Sequence, residues 1–164
     1  MKPPNSIITL YHGTTATAAQ MLIDTQKIDL KRGSIFADFG QGFYMTSSLP
    51  QAIERATTRH RSEAAVIEAS IDLQRFSRLR TRAFAMAWPD DHNGYWTLVH
   101  WCRKGKKAHK STPTAVKFDV IIGPVSARRT EPPTTHEAMD QVCFLTKSAT
   151  DCINGALKRV PFAI

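Results

Sequence analysis

The segment that decides the fold runs from Phe36 to Ser47 and reads FADFGQGFYMTS. Gly40 and Gly42 predict a tight turn, because glycine adopts backbone conformations that other residues resist and lets a ligand approach the chain closely. Tyr44 follows at the start of a short apolar and aromatic strand. Two interpretations fit this segment: an aromatic floor for a flat ligand ring, or a hairpin turn with a buried tyrosine. Taken alone, the segment favours the hairpin, because structural features outnumber functional sites.

The patterns on either side of this segment alternate between strands and helices. Apolar and β-branched runs predict short strands over residues 7–11, 28–30, 65–73, 116–122 and 141–146. Helical periodicity and capping residues predict helices over 16–23, 93–103 and 149–158, and a further one that begins after Ser47 or Ser48. Short strands mixed with segregated helices indicate the α+β class. We expect a single domain over residues 1–164, since this length suits one domain.

Composition argues against a membrane protein and against a metal site. No apolar run approaches the roughly 18 residues that a spanning helix needs, so no membrane partner is expected. The first residues form no apolar signal region, so the protein is expected in the cytoplasm of the cell that makes it. Delivery to a target cell without a cleaved signal stays open. The three cysteines lack CxxC spacing and the six histidines form no helical HxxxH pair, which predicts reduced thiols and no metal.

The basic charge predicts an acidic partner. The net charge is +8, which fits nucleic acid, a phosphorylated cofactor or an acidic protein without choosing among them. Cations are dense over residues 75–82 and 103–110, and Arg128 and Arg129 lie in a long polar loop predicted over 125–138. These segments fit a target-binding surface, but a solvated face is the more common outcome of such charge runs.

Four segments in order carry a family resemblance: YHGT at 11–14, DFGQGFYMT at 38–46, FDVIIGPV at 118–125 and QVCFLT at 141–146. The first two resemble motifs of the ADP-ribosyltransferase superfamily, on its diphtheria-toxin and poly(ADP-ribose) polymerase side. The whole chain resembles a small bacterial family of that fold. The resemblance implies two small packed sheets, mixed or antiparallel, with flanking helices. The order and spacing of the motifs carry this interpretation, because each motif alone is weak.

The resemblance implies a role for each matching residue. His12 would hydrogen-bond a ribose hydroxyl of NAD, and the backbone of Gly13 would hold the nicotinamide carboxamide. The ring of Tyr44 would stack on nicotinamide, a contact worth about 1–3 kcal/mol. The alternative for His12 is a strand-end histidine that is merely hydrogen-bonded. Further contacts to NAD are expected from Thr14, Gly42 and Ser47.

Gln141 is where the sequence departs from the superfamily. A glutamate at the start of a late strand usually anchors the ribose 2′-hydroxyl and favours the cationic transition state, and Gln141 stands at that position. Its amide can hydrogen-bond a hydroxyl, but it supplies no negative charge at the developing cation. Asp140 points to the opposite face of the strand, and Glu137 is predicted on the preceding loop. Arg55 stands where polymerase-type members carry a second aromatic residue.

The resemblance implies a mono-ADP-ribosyltransferase that cleaves NAD and transfers ADP-ribose to a protein or nucleic acid. His12, Tyr44 and Gln141 would be its catalytic residues. A bacterial toxin or effector role, with an antitoxin or immunity protein as partner, is implied by the family alone. Two alternatives stay open: a catalytically inactive module that binds NAD, ADP-ribose or a partner, and a basic nucleic-acid-binding protein without nucleotide chemistry.

Overall fold

The computed structural model describes residues 7–86, 92–108, 117–126 and 135–163. In chain order its strands are β1 (Ile7–Thr15), β2 (Phe43–Met45), β3 (Ala64–Asp72), β4 (Thr81–Ala83), β5 (Val120–Ser126), β6 (Thr135–Phe144) and β7 (Leu157–Val160). Its helices are α1 (Ala16–Thr25), α2 (Leu49–His60), α3 (Leu73–Phe76), α4 (His92–Arg103) and α5 (Lys147–Thr150). The α+β class is therefore confirmed.

The chain forms two compact units, each built around one sheet. Unit 1 comprises Met1–Ile28, Met45–Leu79 and Ser148–Ile164, and unit 2 comprises Asp29–Tyr44 and Arg80–Lys147. The three-stranded sheet β1-β3-β7 belongs to unit 1, and the four-stranded sheet β2-β6-β5-β4 belongs to unit 2 except for the last residue of β2. Two small sheets were expected and two are present. That residues 1–164 act as one domain stays a prediction.

Unit 1 is organised by its central strand, β3. Strands β1 and β7 both pair with β3 in antiparallel register. One face of this sheet is covered by α2, whose Ala52 and Ala56 are buried against Ala64 and Val66 of β3. Small side chains at all four positions let the helix lie close to the strands. The face of β1 that α2 covers therefore has little free space.

Unit 2 packs α4 and the glycine-turn segment onto its sheet. Strand β5 runs antiparallel to β6 and parallel to β4. Phe39, which is fully buried, stacks with Phe84 and meets the edge of Tyr95. The aromatic residue that precedes the glycine turn is thus a core residue, which anchors the whole segment to α4 and β5.

Three predicted helices are confirmed, because each carries a local start signal or apolar stripe. The side chain of Thr15 accepts a hydrogen bond from the backbone of Ala18 and caps α1. Ser48 caps α2 in the same way, with Pro50 in the first turn. Helix α4 buries side chains spaced at i, i+3, i+4 and i+7, namely Tyr95, Leu98, Val99 and Cys102.

Two predictions near the N-terminus are corrected. The strand predicted over 7–11 continues to Thr15, because Gly13 and Thr14 also pair with β3. The strand predicted over 28–30 is wrong. The Asp29 side chain accepts a hydrogen bond from the backbone of Lys31 and begins a short 3-10 turn there, as aspartate does at helix starts.

The helix predicted over 149–158 is wrong beyond its first residues. Helix α5 ends at Thr150, and Gly155 has a φ of +84°, a left-handed conformation that a helix does not continue through. Leu157–Val160 then form β7, so the strand predicted over 141–146 is not the last. Pairing with β3 decides the structure of this segment, and no local pattern reveals that pairing.

The β5–β6 pair is placed differently from the prediction. Strand β5 begins at Val120 rather than 116 and continues through Pro124, where a bulge interrupts the ladder. Strand β6 begins at Thr135, so Glu137 lies in a strand and not on a loop. Arg128 and Arg129 fall outside the residues that the structure describes.

Candidate functional site

The YHGT segment lies inside β1 of unit 1. His12 is paired with Ile67 and Gly13 with Val66 of β3. A Cβ atom at position 13 would collide with the carbonyl oxygen of Ala52, so Gly13 faces α2. Successive side chains of a strand point to opposite faces. The half-buried His12 therefore lies on the face of β1 opposite α2, where its partner Ile67 on β3 is fully buried.

A backbone pairing joins the two N-terminal motifs within unit 1. The Tyr11 N–H donates to the Thr46 carbonyl at 2.8 Å, and the Thr46 N–H donates back to Tyr11 at 2.9 Å. Tyr11 begins the YHGT motif and Thr46 ends the DFGQGFYMT motif. Ser47, which follows, is exposed, and Thr14 is half-buried in β1.

Tyr44 uses its hydroxyl group to close the glycine turn. The hydroxyl donates to the Gly40 carbonyl at 2.7 Å and accepts from the Phe39 N–H at 2.9 Å. Burial is the main cause that raises the pKa of Tyr44 above its ordinary value, and the neighbouring Cys143 adds to it. The ring is only partly buried where it packs against the core of unit 2. The hydroxyl group already has two partners in the glycine turn, so the ring is the part of Tyr44 that remains for stacking on a ligand.

Structural constraints explain why both residues of the turn, Gly40 and Gly42, are glycines. Gly40 has a φ of +84°, which only glycine adopts readily. At position 42 a Cβ atom would lie 2.6 Å from the Cys143 sulfur and 2.7 Å from the Phe144 carbonyl oxygen. Gly42 thus lets β2 lie close to β6, and this contact accounts for the residue without a ligand.

Asp38 is the centre of a polar network in unit 2. Its Oδ1 accepts from Nε of Arg103 at 2.9 Å and from Nη2 at 2.7 Å. Its Oδ2 accepts from the Ser126 N–H at 3.0 Å and from Nε2 of Gln141 at 2.9 Å. The carboxylate therefore ties the glycine-turn segment to α4, β5 and β6 at once, and its acceptor capacity is used.

The Gln141 side chain is 8% exposed, and its amide group is fixed by acceptors on two sides. Nε2 donates to Asp38 and, at 2.9 Å, to the Pro124 carbonyl, which also accepts from the Tyr95 hydroxyl at 2.9 Å. A carboxylate and a carbonyl can only accept, so the nitrogen of the amide must face them. Gln141 therefore has its oxygen, Oε1, as the atom left for any further contact.

The predicted site residues divide between the two units. Unit 1 holds His12, Gly13, Thr14 and Ser47, and unit 2 holds Gly42, Tyr44 and Gln141. The ion pair of Asp38 and Arg103 was not predicted from the sequence. The one sequence feature that pointed to Asp38 was its position among apolar and aromatic residues. Arg55 is exposed on α2.

Other kinds of site find no support. Among the described residues, no group of three or more His, Cys, Asp or Glu side chains could hold a metal ion. Burial raises the pKa of Cys102 to about 12 and also that of Cys143, so both stay protonated thiols at neutral pH. An open groove of unit 1 runs along α1 to Arg159 and includes none of the predicted site residues. No helix in the described ranges has the length and apolar character to cross a membrane.

The chain belongs to a family described as "Protein of unknown function (DUF3990)", whose family model matches residues 8–131. The matched region contains the YHGT and DFGQGFYMT motifs, with His12, Asp38 and Tyr44, and it stops before Gln141. No curated protein and no solved structure matches the chain.

Proposed function

We propose that the protein is a mono-ADP-ribosyltransferase that cleaves NAD and transfers ADP-ribose to a macromolecular target. The observation that carries the proposal is the backbone pairing of Tyr11 with Thr46. It joins β1, the strand that contains His12, to Thr46, the residue that follows β2. The first motif of the resemblance is thereby hydrogen-bonded to the last residue of the second motif within unit 1, which supports the proposal.

The surroundings of the proposed site residues restrict what each can do. His12, on the face of β1 opposite α2, would hydrogen-bond a ribose hydroxyl. The Tyr44 ring would stack on nicotinamide, since its hydroxyl is engaged in the glycine turn. Gly13 would act through its backbone. Thr14 and Ser47 would supply polar contacts, and Gly42 would act only through the side that Cys143 does not cover.

Gln141 would act as a hydrogen-bond acceptor. A ribose hydroxyl is a donor that Oε1 can receive, while the amide nitrogen stays on Asp38 and Pro124. An acceptor amide stabilises a developing cation less than a carboxylate does. We therefore expect slow turnover, in which positioning of NAD contributes more than charge.

Gln141 also favours a second candidate function, a module that binds NAD or ADP-ribose without cleaving it, because an amide supplies no negative charge at the developing cation. Asp38 cannot replace the missing carboxylate, because its oxygens already accept four hydrogen bonds. This candidate predicts binding of NAD without release of nicotinamide.

The test is transfer of label from NAD that is labelled on its adenylate half. The purified full chain is incubated with separate protein and nucleic-acid fractions, and both label transfer and free nicotinamide are measured. We expect His12→Ala and Tyr44→Ala to abolish transfer, and His100→Ala, which changes an exposed histidine of α4, to keep it. Circular dichroism checks that each variant is folded.

Each outcome decides between the candidates. Transfer that the two site variants lose supports the transferase. Saturable NAD binding without nicotinamide release, lost in the same variants, supports the binding module instead. Absence of both binding and transfer overturns both candidates. Salt-dependent nucleic-acid binding that survives the two substitutions would then favour the third alternative.

A further inference from the structure

A braced loop over residues 29–42 stands out in unit 2. Nε2 of Gln41 donates to the carbonyls of Lys31 and Gly33 at 3.0 Å each, which ties the end of the loop to its beginning. Asp38 joins the loop to Arg103, and Tyr44 holds Gly40. These contacts fix the backbone on both sides of the tip, which consists of residues 34–37.

The tip presents two adjacent large apolar side chains to solvent. Ile35 is 44% exposed and Phe36 is 52% exposed, although hydrogen bonds hold the loop on both sides of them. A Cβ atom at position 105 would lie 3.2 Å from Phe36 Cε1 and 3.6 Å from Ile35 Cδ1, so both side chains rest on Gly105 after α4. Exposed apolar side chains on a fixed backbone are a feature of binding surfaces.

Exposed cations lie close in sequence to this apolar pair and to Gly105, on which it rests. They come from the start of the loop and from the turn after α4, and they are Lys31, Arg32, Lys104, Lys106 and Lys107. The carboxylates of the same two segments are Asp29, which begins the 3-10 turn, and Asp38, which is paired with Arg103. The surface formed by Ile35, Phe36 and the five cations, which we name the Phe36 surface, is therefore positive around an apolar centre.

We propose that the Phe36 surface docks an acidic protein segment that carries an apolar side chain between carboxylates. An apolar centre with a charged rim is the usual anatomy of a protein–protein interface, and an aromatic anchor such as Phe36 is a common source of its binding energy. The positive rim would attract the acidic segment and orient it.

Two other classes of partner fit less well. Single-stranded nucleic acid binds by stacking successive bases on aromatic rings, but Ile35 offers no ring and Lys106 lies 4.2 Å over the ring of Trp101. Binding to an anionic membrane requires apolar side chains that project from the protein and insert into the bilayer interface. Here about half of the surface of Ile35 and of Phe36 is already buried against unit 2, so these side chains do not project far enough to insert into a bilayer.

The test uses the full chain and two fluorescein-labelled peptides in which glutamates flank either a Leu-Phe pair or a Ser-Ser pair. We expect the Leu-Phe peptide to bind at about 50 mM salt and to weaken as salt rises. Phe36→Ser should weaken binding about tenfold or more, as loss of an anchor does. Lys104→Glu combined with Lys107→Glu should weaken it by a similar factor.

Matched controls lie in unit 1. Ile7→Ser removes an isoleucine that is 62% exposed, more than Ile35 or Phe36, and Lys158→Glu reverses an exposed lysine of β7. Both should leave peptide binding unchanged. Equal binding of the two peptides, no binding, or full binding by Phe36→Ser would overturn the proposal. Tighter binding of oligothymidylate or phosphatidylserine vesicles, lost in the same variants, would assign the surface to that other class and equally overturn it. Peptide binding needs no NAD, so this result is separate from the transferase test.

Discussion

At the scale of single residues, Asp38 determines what position 141 can be. Asp38 and Gln141 are 103 positions apart in the chain, yet a hydrogen bond of 2.9 Å joins them. The partner of a buried carboxylate must donate, and glutamine donates where an ionised glutamate cannot. Glutamine at position 141 therefore has a structural cause inside unit 2.

We predict that Gln141→Glu destabilises the protein by about 3 kcal/mol at neutral pH, because it places a second carboxyl group against Asp38 and the Pro124 carbonyl. Burial beside Asp38 raises the pKa of the introduced carboxyl group, and its protonated form can donate to Asp38. The loss should therefore shrink as pH falls toward 5. Urea unfolding at a series of pH values measures it.

A matched control exists on α1, where Nε2 of the exposed Gln20 donates to Asp24 at 2.8 Å. Gln20→Glu should cost no more than about 0.5 kcal/mol, since solvent screens an exposed pair. Adding Asp38→Asn to Gln141→Glu restores a donor beside an acceptor and should recover about 1 kcal/mol relative to additive losses. Strictly additive losses would contradict the orientation assigned to the Gln141 amide.

Only some residues of the candidate site could be predicted from the sequence. His12 and Tyr44 could be singled out because they lie within local motifs. The network of Asp38, Arg103 and Gln141 could not, because it depends on which segments meet in unit 2. Sequence spacing carries no information about such a meeting, and the motif containing Asp38 pointed only to its glycines and tyrosine.

At the scale of elements, the helices with local signals were predictable and the strands that depend on distant partners were not. Thr15 and Ser48 mark the starts of α1 and α2 within the chain itself. Strand β7 has only four residues, and it exists because β3 offers it an edge. The extension of β1 through Gly13 has the same cause, since glycine lowers local strand propensity.

We predict that Gly13→Ala separates α2 from β1 and costs about 3 kcal/mol of unfolding free energy, the upper end for overpacking. The added methyl group meets a backbone oxygen of Ala52, and no change of rotamer relieves that contact. Loss of the proposed label transfer in this variant would therefore not identify Gly13 as a ligand contact. Chemical denaturation with far-ultraviolet circular dichroism measures the cost.

The comparison variant is Gly155→Ala, in which the added Cβ atom meets nothing within 4 Å. Its cost is limited to the left-handed backbone conformation, about 1–2 kcal/mol. A Gly13→Ala protein as stable as Gly155→Ala, or more so, would show that α2 does not press on β1 at this position.

At the scale of the whole molecule, unit 2 contains a group of buried acidic side chains. Burial raises the pKa values of Tyr44, Tyr95, Cys102 and Cys143, and all four belong to unit 2. Each group is neutral when protonated, so the folded state keeps protons that the unfolded state releases. The unfolded state then binds fewer protons, and stability must fall as pH rises. Unit 2 is therefore expected to lose stability in alkali.

We predict that unit 2 loses stability above about pH 9, by up to about 1.4 kcal/mol per pH unit for each group that titrates only when unfolded. For Cys102 the loss begins near the ordinary value of 9.0 and ends near 12. Trp96 and Trp101 belong to unit 2, so their fluorescence in urea titrations reports on it. Cys102→Ala removes one titrating group and should flatten the decline between pH 9 and 11. A fluorescence midpoint that stays constant over this range would contradict the burial of these groups, because only burial keeps their protons in place.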